Sequence, residues 1–443
     1  MQGKFIYKAV SFISKAVSFA SNAVRTEMFR RFVKIFSVDF LVRGGNFILI
    51  FVFTAIMSQK EFGIYGYLYS FAMMMSGIVG FGFNISLTKT YADTIAQPQS
   101  RKDMLFTLTS SMVCLLGAAM ILIYAGGIDK TFFELTNQGR EVAFDYGKYR
   151  LYTAIAIVST VFTAYLTYYF VSSEQIKQIQ RFNLLRFFLA NSAAIIVILA
   201  SDKDSAMMRL AVTYLTELIL TIIFGKVFFG KGKFDFVFLK KALKIGLPVM
   251  GTAIVYAVIN FGDKYFVMTK CGVDEFAIYN LALLIAMILI IVFQSFNFIW
   301  LPLFMKENDL RLQRRKVKRY SIIILISFVM LAIAIWLGVM LMLHWGLLKG
   351  DYYGILRLLP LLLASQIAAA LSQLYTNYMT YFEKTHIQFV FGAAISAVAM
   401  CLYYVSVRQF GVMGICFSLL IVNLLSFLFY YLRSNYYIRN RCK

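Results

Sequence analysis

The chain has 443 residues, of which 60% are hydrophobic and 15% charged, with a formal net charge of +23. Soluble domains average roughly 45–50% apolar and about 25% charged residues, so this composition excludes an ordinary water-soluble fold. The apolar residues fall in unbroken blocks of about 20, the length of a bilayer-crossing helix. They do not alternate as the strands of a membrane barrel do. The composition thus reads as an all-α integral membrane protein, and the positive excess, explained below by loop placement, calls for no nucleic acid.

The first 36 residues carry no uninterrupted apolar core and no convincing cleavage site, so they are not read as a cleavable signal. Lys8-Ala9-Val10-Ser11-Phe12 repeats as Lys15-Ala16-Val17-Ser18-Phe19. Val10, Ile13, Val17 and Val24 then share one helical face, with lysines elsewhere. The spacing predicts a basic amphipathic arm, 1–36, lying on the cytoplasmic leaflet. A coiled-coil arm would need more heptads than are present.

Apolar blocks follow at 37–57, 62–87, 104–124, 149–170, 183–200 and 207–229. A second set lies at 245–269, 276–303, 320–343, 355–375, 386–405 and 412–432. These predict about twelve transmembrane helices in two six-helix lobes, 37–229 and 230–443. The longest connection, Ala125–Lys148, has room for one short helix and no soluble domain. An internal echo supports the division. Asn46-Phe47 followed by Glu61-Phe62-Gly63-Ile64-Tyr65 recurs as Asn260-Phe261 followed by Glu275-Phe276-Ala277-Ile278-Tyr279, both displaced by 214 positions. Paired halves of this kind are common in transporters. The second copy lies in the stretch Gly246 to Met305, which also carries Pro248, expected to begin the seventh helix, and Pro302, expected to end the eighth. Gly246-Leu247-Pro248 also reads as a hinge.

Of the 44 Lys+Arg, 31 fall in the N-terminal arm, the alternate loops on its side and the tail from Arg433; 12 fall in the opposite loops. This bias predicts both termini in the cytoplasm. The run Arg311, Arg314, Arg315, Lys316, Lys318, Arg319 is read as a topology signal touching anionic lipid. We call the side with the excess the basic end and its opposite the far end.

Polar groups inside apolar blocks are the candidate functional residues, because a charge at mid-bilayer costs on the order of 2.5–3.5 kcal/mol by insertion scales. Asp39, Arg43 and Asn46 share one face of the first helix, beside Gly44-Gly45. Asn260, Asp263 and Lys264 share one face of the seventh. The repeat register matches Asn46 to Asn260 and would aim both stripes at a central cleft. The sixth helix adds Arg209, Thr213, Thr216 and Glu217; Glu217 sits mid-block with only Arg209, two turns away, as a sequence neighbour. Each group also has a plainer reading: a self-neutralising Asp39–Arg43 pair, Asp263–Lys264 closing a span, and Arg150, Arg186 and Arg209 snorkelling from helix ends. Asp39 and Glu217 are candidates for ion coupling. No metal ligand set or cofactor is expected: the five cysteines, Cys114, Cys271, Cys401, Cys416 and Cys442, form no C-x-x-C pair, and the two histidines, His344 and His386, fall in loops on opposite faces.

Lys60-Glu61-Phe62-Gly63-Ile64-Tyr65 resembles the E-F-G…Y turn of polysaccharide-biosynthesis transporters. Gly246-Leu247-Pro248, Asp263-Lys264-Tyr265, Ala277-Ile278-Tyr279 and Phe296-Asn297 through Pro302 resemble the second-half signature of the same group, the O-antigen and capsule-repeat flippases (Wzx type) of the multidrug/oligosaccharidyl-lipid/polysaccharide superfamily. Ala277 stands where glycine is common in that group, and the long N-terminal arm is not general to it. The resemblance implies two six-helix lobes in a V around a central cavity, as in multidrug (MATE) exporters. It implies a polyprenyl-pyrophosphate-linked oligosaccharide as cargo, moved to the outer leaflet of a bacterial inner membrane against an H⁺ or Na⁺ gradient. It leaves open the sugars, the ion, and whether other polysaccharide-assembly proteins take part. Arg43, then Lys264, are the cations expected to hold the diphosphate; Asn46, Asn260 and Asp263 complete the expected binding set. Two other readings stand beside it. One is a multidrug or metabolite exporter of the same fold, for which an acidic cavity would be expected. The other is a membrane-bound polymerase or glycosyltransferase, which would need a positioned acid/base or metal site that no loop supplies.

Overall fold

The computed structural model describes residues 27–94, 98–137, 144–201, 204–307, 309–382 and 384–441. The arm expected at 1–36 therefore lies mostly outside the described residues. Among those described, every regular element is helical. In order they are α1 (Glu27–Ile56), α2 (Gln59–Val79), α3 (Phe83–Asp93), α4 (Pro98–Tyr124), α5 (Ile128–Asn137), α6 (Arg150–Ser172), α7 (Ile176–Leu185) and α8 (Asn191–Ala200). Then come α9 (Ser205–Phe224), α10 (Phe236–Cys271), α11 (Val273–Ala286), α12 (Ile288–Lys306), α13 (Leu310–His344), α14 (Ile355–Tyr381) and α15 (Thr385–Arg441). All twelve apolar blocks fall on these helices. Nine among the described residues are long and apolar enough to cross a membrane by length and composition; the last of these joins two blocks across Gly411, whose φ of 56° and ψ of −139° break the helix. Side chains such as Ile121, Leu199 and Met330, each about two-thirds exposed, form an outer surface that only a lipid solvent tolerates.

Three spans are compound. The second is α2 plus α3, broken where Phe81 (φ 48°) and Gly82 (φ 65°) turn left-handed. The fifth is α7 plus α8, joined through a π-helical turn at Arg186–Ala190. The eighth is α11 plus α12. The helices also outrun their apolar blocks. α10 begins at Phe236, so Pro248 lies inside it and not at its start, and α12 continues past Pro302 to Lys306. Asp235 starts α10 instead, accepting the Val237 N–H at 2.8 Å. Gly246 is where α10 crosses the break in the second span. A Cβ there would lie 2.3 Å from the Phe81 carbonyl oxygen, and one on Gly82 would lie 2.6 Å from that of Gly246, so both positions need glycine.

The internal echo is visible locally. Ser58 and Glu61 form a capping box at the start of α2, and Glu275 occupies the matching first turn of α11. Glu61 also reaches α9, where its carboxylate accepts the Ser205 N–H at 3.0 Å and the Ser205 hydroxyl at 2.8 Å. Helices before Gly230 pack chiefly on one another, as do those after it. The two sets meet mainly through α2 and α3 against α10, and α2 against α11. The connection between them is tied to α4: the Lys233 N–H donates to Asp103 at 2.8 Å and the Asp235 N–H to Thr107 at 2.9 Å.

The seam is closed at the far end. Gln59 donates to the Asp274 carbonyl at 3.0 Å, and Lys349 reaches across to the Met57 carbonyl at 2.8 Å. Gly63 and Gly66 of α2 press against α11 so closely that a Cβ would meet the Val273 carbonyl oxygen at 2.8 Å and the Asn280 amide at 2.3 Å. The expected short helix in the 125–148 connection is α5. It wedges into the seam: Phe132 stacks on Phe71 of α2 (centroids 5.1 Å apart) and touches Tyr265 of α10 (5.7 Å). Asp129 anchors that helix in a forked ion pair with Arg150, at 2.7 and 3.0 Å, while accepting from Tyr146 at 3.1 Å. Arg150 is thus partnered and not merely snorkelling. At the opposite extremity, α1 packs mainly on α7, α8 and α2 within its own half, and α12 on α14, α11 and α13 within the other.

Candidate functional site

The charged groups gather in two places. The first lies among α1, α2, α7 and α9. Glu217 of α9 pairs with Arg186 of the fifth span, Nε to Oε1 at 3.8 Å. The expected neighbour, Arg209, sits two turns away and is used differently. Its guanidinium lies over the Phe53 ring at 3.5 Å and the Tyr65 ring at 3.9 Å, a cation held between an aromatic of α1 and one of α2. Tyr65 in turn stacks on Tyr69, centroids 6.1 Å apart. A guanidinium carries five N–H donors in a planar fork that suits phosphate oxygens, more than its contacts with Tyr65 can use. Met57 sulfur, a weak acceptor, takes one contact at 3.8 Å.

Arg209 is the fifth residue of α9, about a turn from its start, but its guanidinium is turned onto the Phe53 and Tyr65 rings and not outward to headgroups. Arg186 stands in the middle of the continuous helix Ile176–Ala200, because that helix starts seven residues before its apolar block. Its π turn adds a residue to the local winding, a feature often found where a side chain must be aimed. Arg186 and Glu217 have side chains only 33% and 17% exposed, and Tyr214 beside them is buried. Two cations here face one carboxylate among the described residues, which leaves this cluster positive.

The second place is on α10. Asp263 is 2% exposed and accepts the Tyr279 hydroxyl of α11 at 2.5 Å. Lys264 bends back along its own helix, donating to the Asn260 carbonyl at 2.6 Å and approaching Asp263 at 3.4 Å. Lys264 thus bridges Asp263 and the Asn260 backbone, while Asp263 itself turns toward Tyr279 of α11. Tyr279 is the equivalent of Tyr65 in the repeat, so each half sets its repeat tyrosine against a charged side chain: Arg209 in the first, Asp263 in the second. Asn46 is exposed on α1, as is Asn260 on α10. Among the described residues, a Cβ added at Gly44 of α1 or Gly251 of α10 would meet nothing within 4 Å. Asp39 and Arg43 stand on α1 in the expected register, but their side chains lie outside the described residues.

Reasoning from sequence missed two members of the first cluster, the rings of Phe53 and Tyr65 around Arg209, and the pairing of Arg186 with Glu217. The i, i+4 pair Tyr65 and Tyr69 was the available signal. No cluster of three or more His, Cys, Asp or Glu that could hold a metal occurs among the described residues.

Several solved structures share the fold. One described as the inward-facing conformation of a multidrug resistance MATE family transporter of the MOP superfamily aligns over 90% of this chain and 99% of its own, with 14% identity and a TM-score of 0.65. The lipid II flippase MurJ in an inward closed conformation aligns over 91% of this chain and 87% of its own, with 13% identity and a TM-score of 0.67. A MOP superfamily transporter from Pyrococcus furiosus, described as having a binding pocket of reverse polarity, aligns over 92% and 94% with 13% identity and a TM-score of 0.55. No curated protein matches the chain by sequence. The helical architecture expected from the resemblance is thus the MATE-like one. A family model described as "Polysaccharide biosynthesis protein" matches residues 30–307, well over half the chain, and the chain belongs to that family.

Proposed function

We propose that the protein is a membrane transporter, not an enzyme, that flips polyprenyl-pyrophosphate-linked oligosaccharide repeat units across a bacterial inner membrane by alternating access. The basic end faces the cytoplasm in this reading, and the halves 37–229 and 230–443 are the moving bodies. The observation that carries it is the positive cluster held among the helices: Arg186 and Arg209 against Glu217, one carboxylate among the described residues. A dianionic diphosphate is the headgroup such a site attracts, and a cationic drug is the one it repels. Membership of the polysaccharide biosynthesis family and the fold shared with a lipid II flippase support the same cargo class.

The working steps follow from the contacts. In the state described, the far end is sealed, so cargo enters from the basic end. The diphosphate engages the N–H edge of Arg209 and competes with Glu217 for Arg186. Arg43, Asn46, Asn260, Asp263 and Lys264 extend the binding surface toward the sugars and the second half. The carboxylate released from Arg186 is the group that a coupling H⁺ or Na⁺ meets, with Asp39 as a second candidate. Closing the basic end and parting α2 from α11 then exposes the cargo to the other leaflet.

Binding tests this reading against the exporter alternative. The purified protein is expected to bind a polyprenyl-pyrophosphate saccharide with an affinity that weakens as salt rises, and to ignore cationic dyes. Dye binding without pyrophosphate binding would reverse the assignment.

A further inference from the structure

A cavity of about 550 Å³ opens at the far end of the second half, between the end of α10, the start of α14 and the Gly411 break of α15. Lys270, Arg357 and Arg408 line it, one from each helix, against a single carboxylate, Glu275. Only 12 Lys+Arg belong to the far-side loops, and three of them converge here. None of the three forms an ion pair among the described residues. The twofold plan of the chain does not call for this grouping, since the register of 214 sets Ile56 opposite Lys270.

The individual placements sharpen the point. Lys270 is in the last turn of α10, where a cation suits the negative helix end. Arg357 is the third residue of α14, the positive end, where a cation is disfavoured unless an anion lies nearby. Arg408 rests over the Tyr404 ring at 4.1 Å, which steadies one face of the guanidinium and leaves its edge for a ligand. The rest of the wall is apolar, with Ile278, Val412 and the 65% exposed Phe410. All three cations lie within a turn of a helix end or break, the depth of lipid headgroups.

We infer that this cavity binds a phosphate-bearing headgroup at the far membrane interface, with Arg357 and Arg408 on the phosphate oxygens and acyl chains against Phe410 and Val412. The inference is independent of the transported cargo. Its chemistry is shared by a membrane phosphodiester and by free phosphate, and the experiment separates them.

The full chain, purified in a neutral detergent, is titrated with a fluorescent phosphatidylglycerol, alone and against inorganic phosphate, with phosphatidylcholine as the zwitterionic comparison. Phosphatidylglycerol is expected to bind in preference to phosphatidylcholine. Changing Lys270, Arg357 and Arg408 together to Gln is expected to weaken that binding at least about tenfold, the scale of one lost charged hydrogen bond. Changing Lys60, Lys130 and Lys148 to Gln removes the same charge from the far end outside the cavity and is expected to leave affinity unchanged. Displacement by inorganic phosphate marks a site open to soluble anions; no displacement marks a lipid site. Equal binding by the cavity variant and the wild type, or equal loss in both triple variants, overturns the inference. Arg357 and Arg408 are exposed, so Arg357→Gln and Arg408→Gln read singly serve if the triple variant does not fold.

Discussion

Replacing Gly63 with alanine adds one methyl group where α2 meets α11. The new carbon would stand 2.8 Å from the Val273 carbonyl oxygen and 3.1 Å from the Ala277 Cβ. The nearer atom is backbone, so no side chain can rotate away and the helices themselves must part. Overpacking of this kind costs about 1–3 kcal/mol, which is about 5–150-fold in an equilibrium. In the proposed cycle the cost falls on the state in which the far end is closed, because opening parts α2 from α11. Gly63→Ala is therefore expected to populate a state open at the far end. Spin labels at Lys60 and Asp351, both exposed at that end, read the separation by double electron–electron resonance after the exposed Cys114 and Cys401 are changed to serine. The variant should gain a longer-distance population. An unchanged distance distribution in a folded variant would refute the argument that these glycines allow the closed state.

Lys349→Ala, which removes the donor to the Met57 carbonyl, is expected to shift the same distances in the same direction, by an equilibrium effect of about 1.5–3 kcal/mol or less. Arg209→Leu keeps an apolar stem between Phe53 and Tyr65 but removes the cation; pyrophosphate binding should fall at least about tenfold, and Arg209→Lys should not restore it. Asp129→Ala leaves Arg150, whose side chain is 27% exposed, without its carboxylate and should destabilise the folded protein by about 3 kcal/mol, the lower end for a broken buried pair, read as a lowered melting temperature in detergent. Lys316 donates to Glu307 at 2.5 Å and holds that carboxyl below its ordinary 4.5. A depressed folded value means the contact is fully present above about pH 4.5 and lost as pH falls through the lower folded value. Protection of the 309–313 amides, taken relative to their intrinsic exchange, should fall over that acid range in the wild type but not in Lys316→Ala.

The helices were legible because a bilayer demands apolar runs of fixed length, and all twelve runs became helix. Their starts were not legible where the first turns are basic. The Lys240-Lys241 and Lys244 segment opens α10 outside the apolar block, which is why Pro248 proved to be interior and not initial. The same effect disguised Arg186: with residues 176–182 omitted, a mid-helix arginine looked terminal. The repeat was legible as identity of residues, and the structure gives it meaning through the first-turn carboxylates Glu61 and Glu275 and the tyrosines Tyr65 and Tyr279. What the chain could not announce was partnership across helices. Glu217 finds Arg186 on another span and Arg209 finds rings on two others, contacts set by packing and not by periodicity. Lys270, Arg357 and Arg408, scattered over three helices, converge for the same reason.

The most direct test of the account is transbilayer movement itself. The purified chain is reconstituted into liposomes carrying a fluorescent polyprenyl-pyrophosphate oligosaccharide, and a membrane-impermeant reductant reports which leaflet holds the label. The account predicts loss of fluorescence beyond the outer-leaflet half with the wild type, and confinement to that half with Arg186→Ala and Arg209→Ala together. Protection of the inner half in wild-type vesicles under an imposed H⁺ or Na⁺ gradient of either direction, or full movement by the double variant, would contradict it.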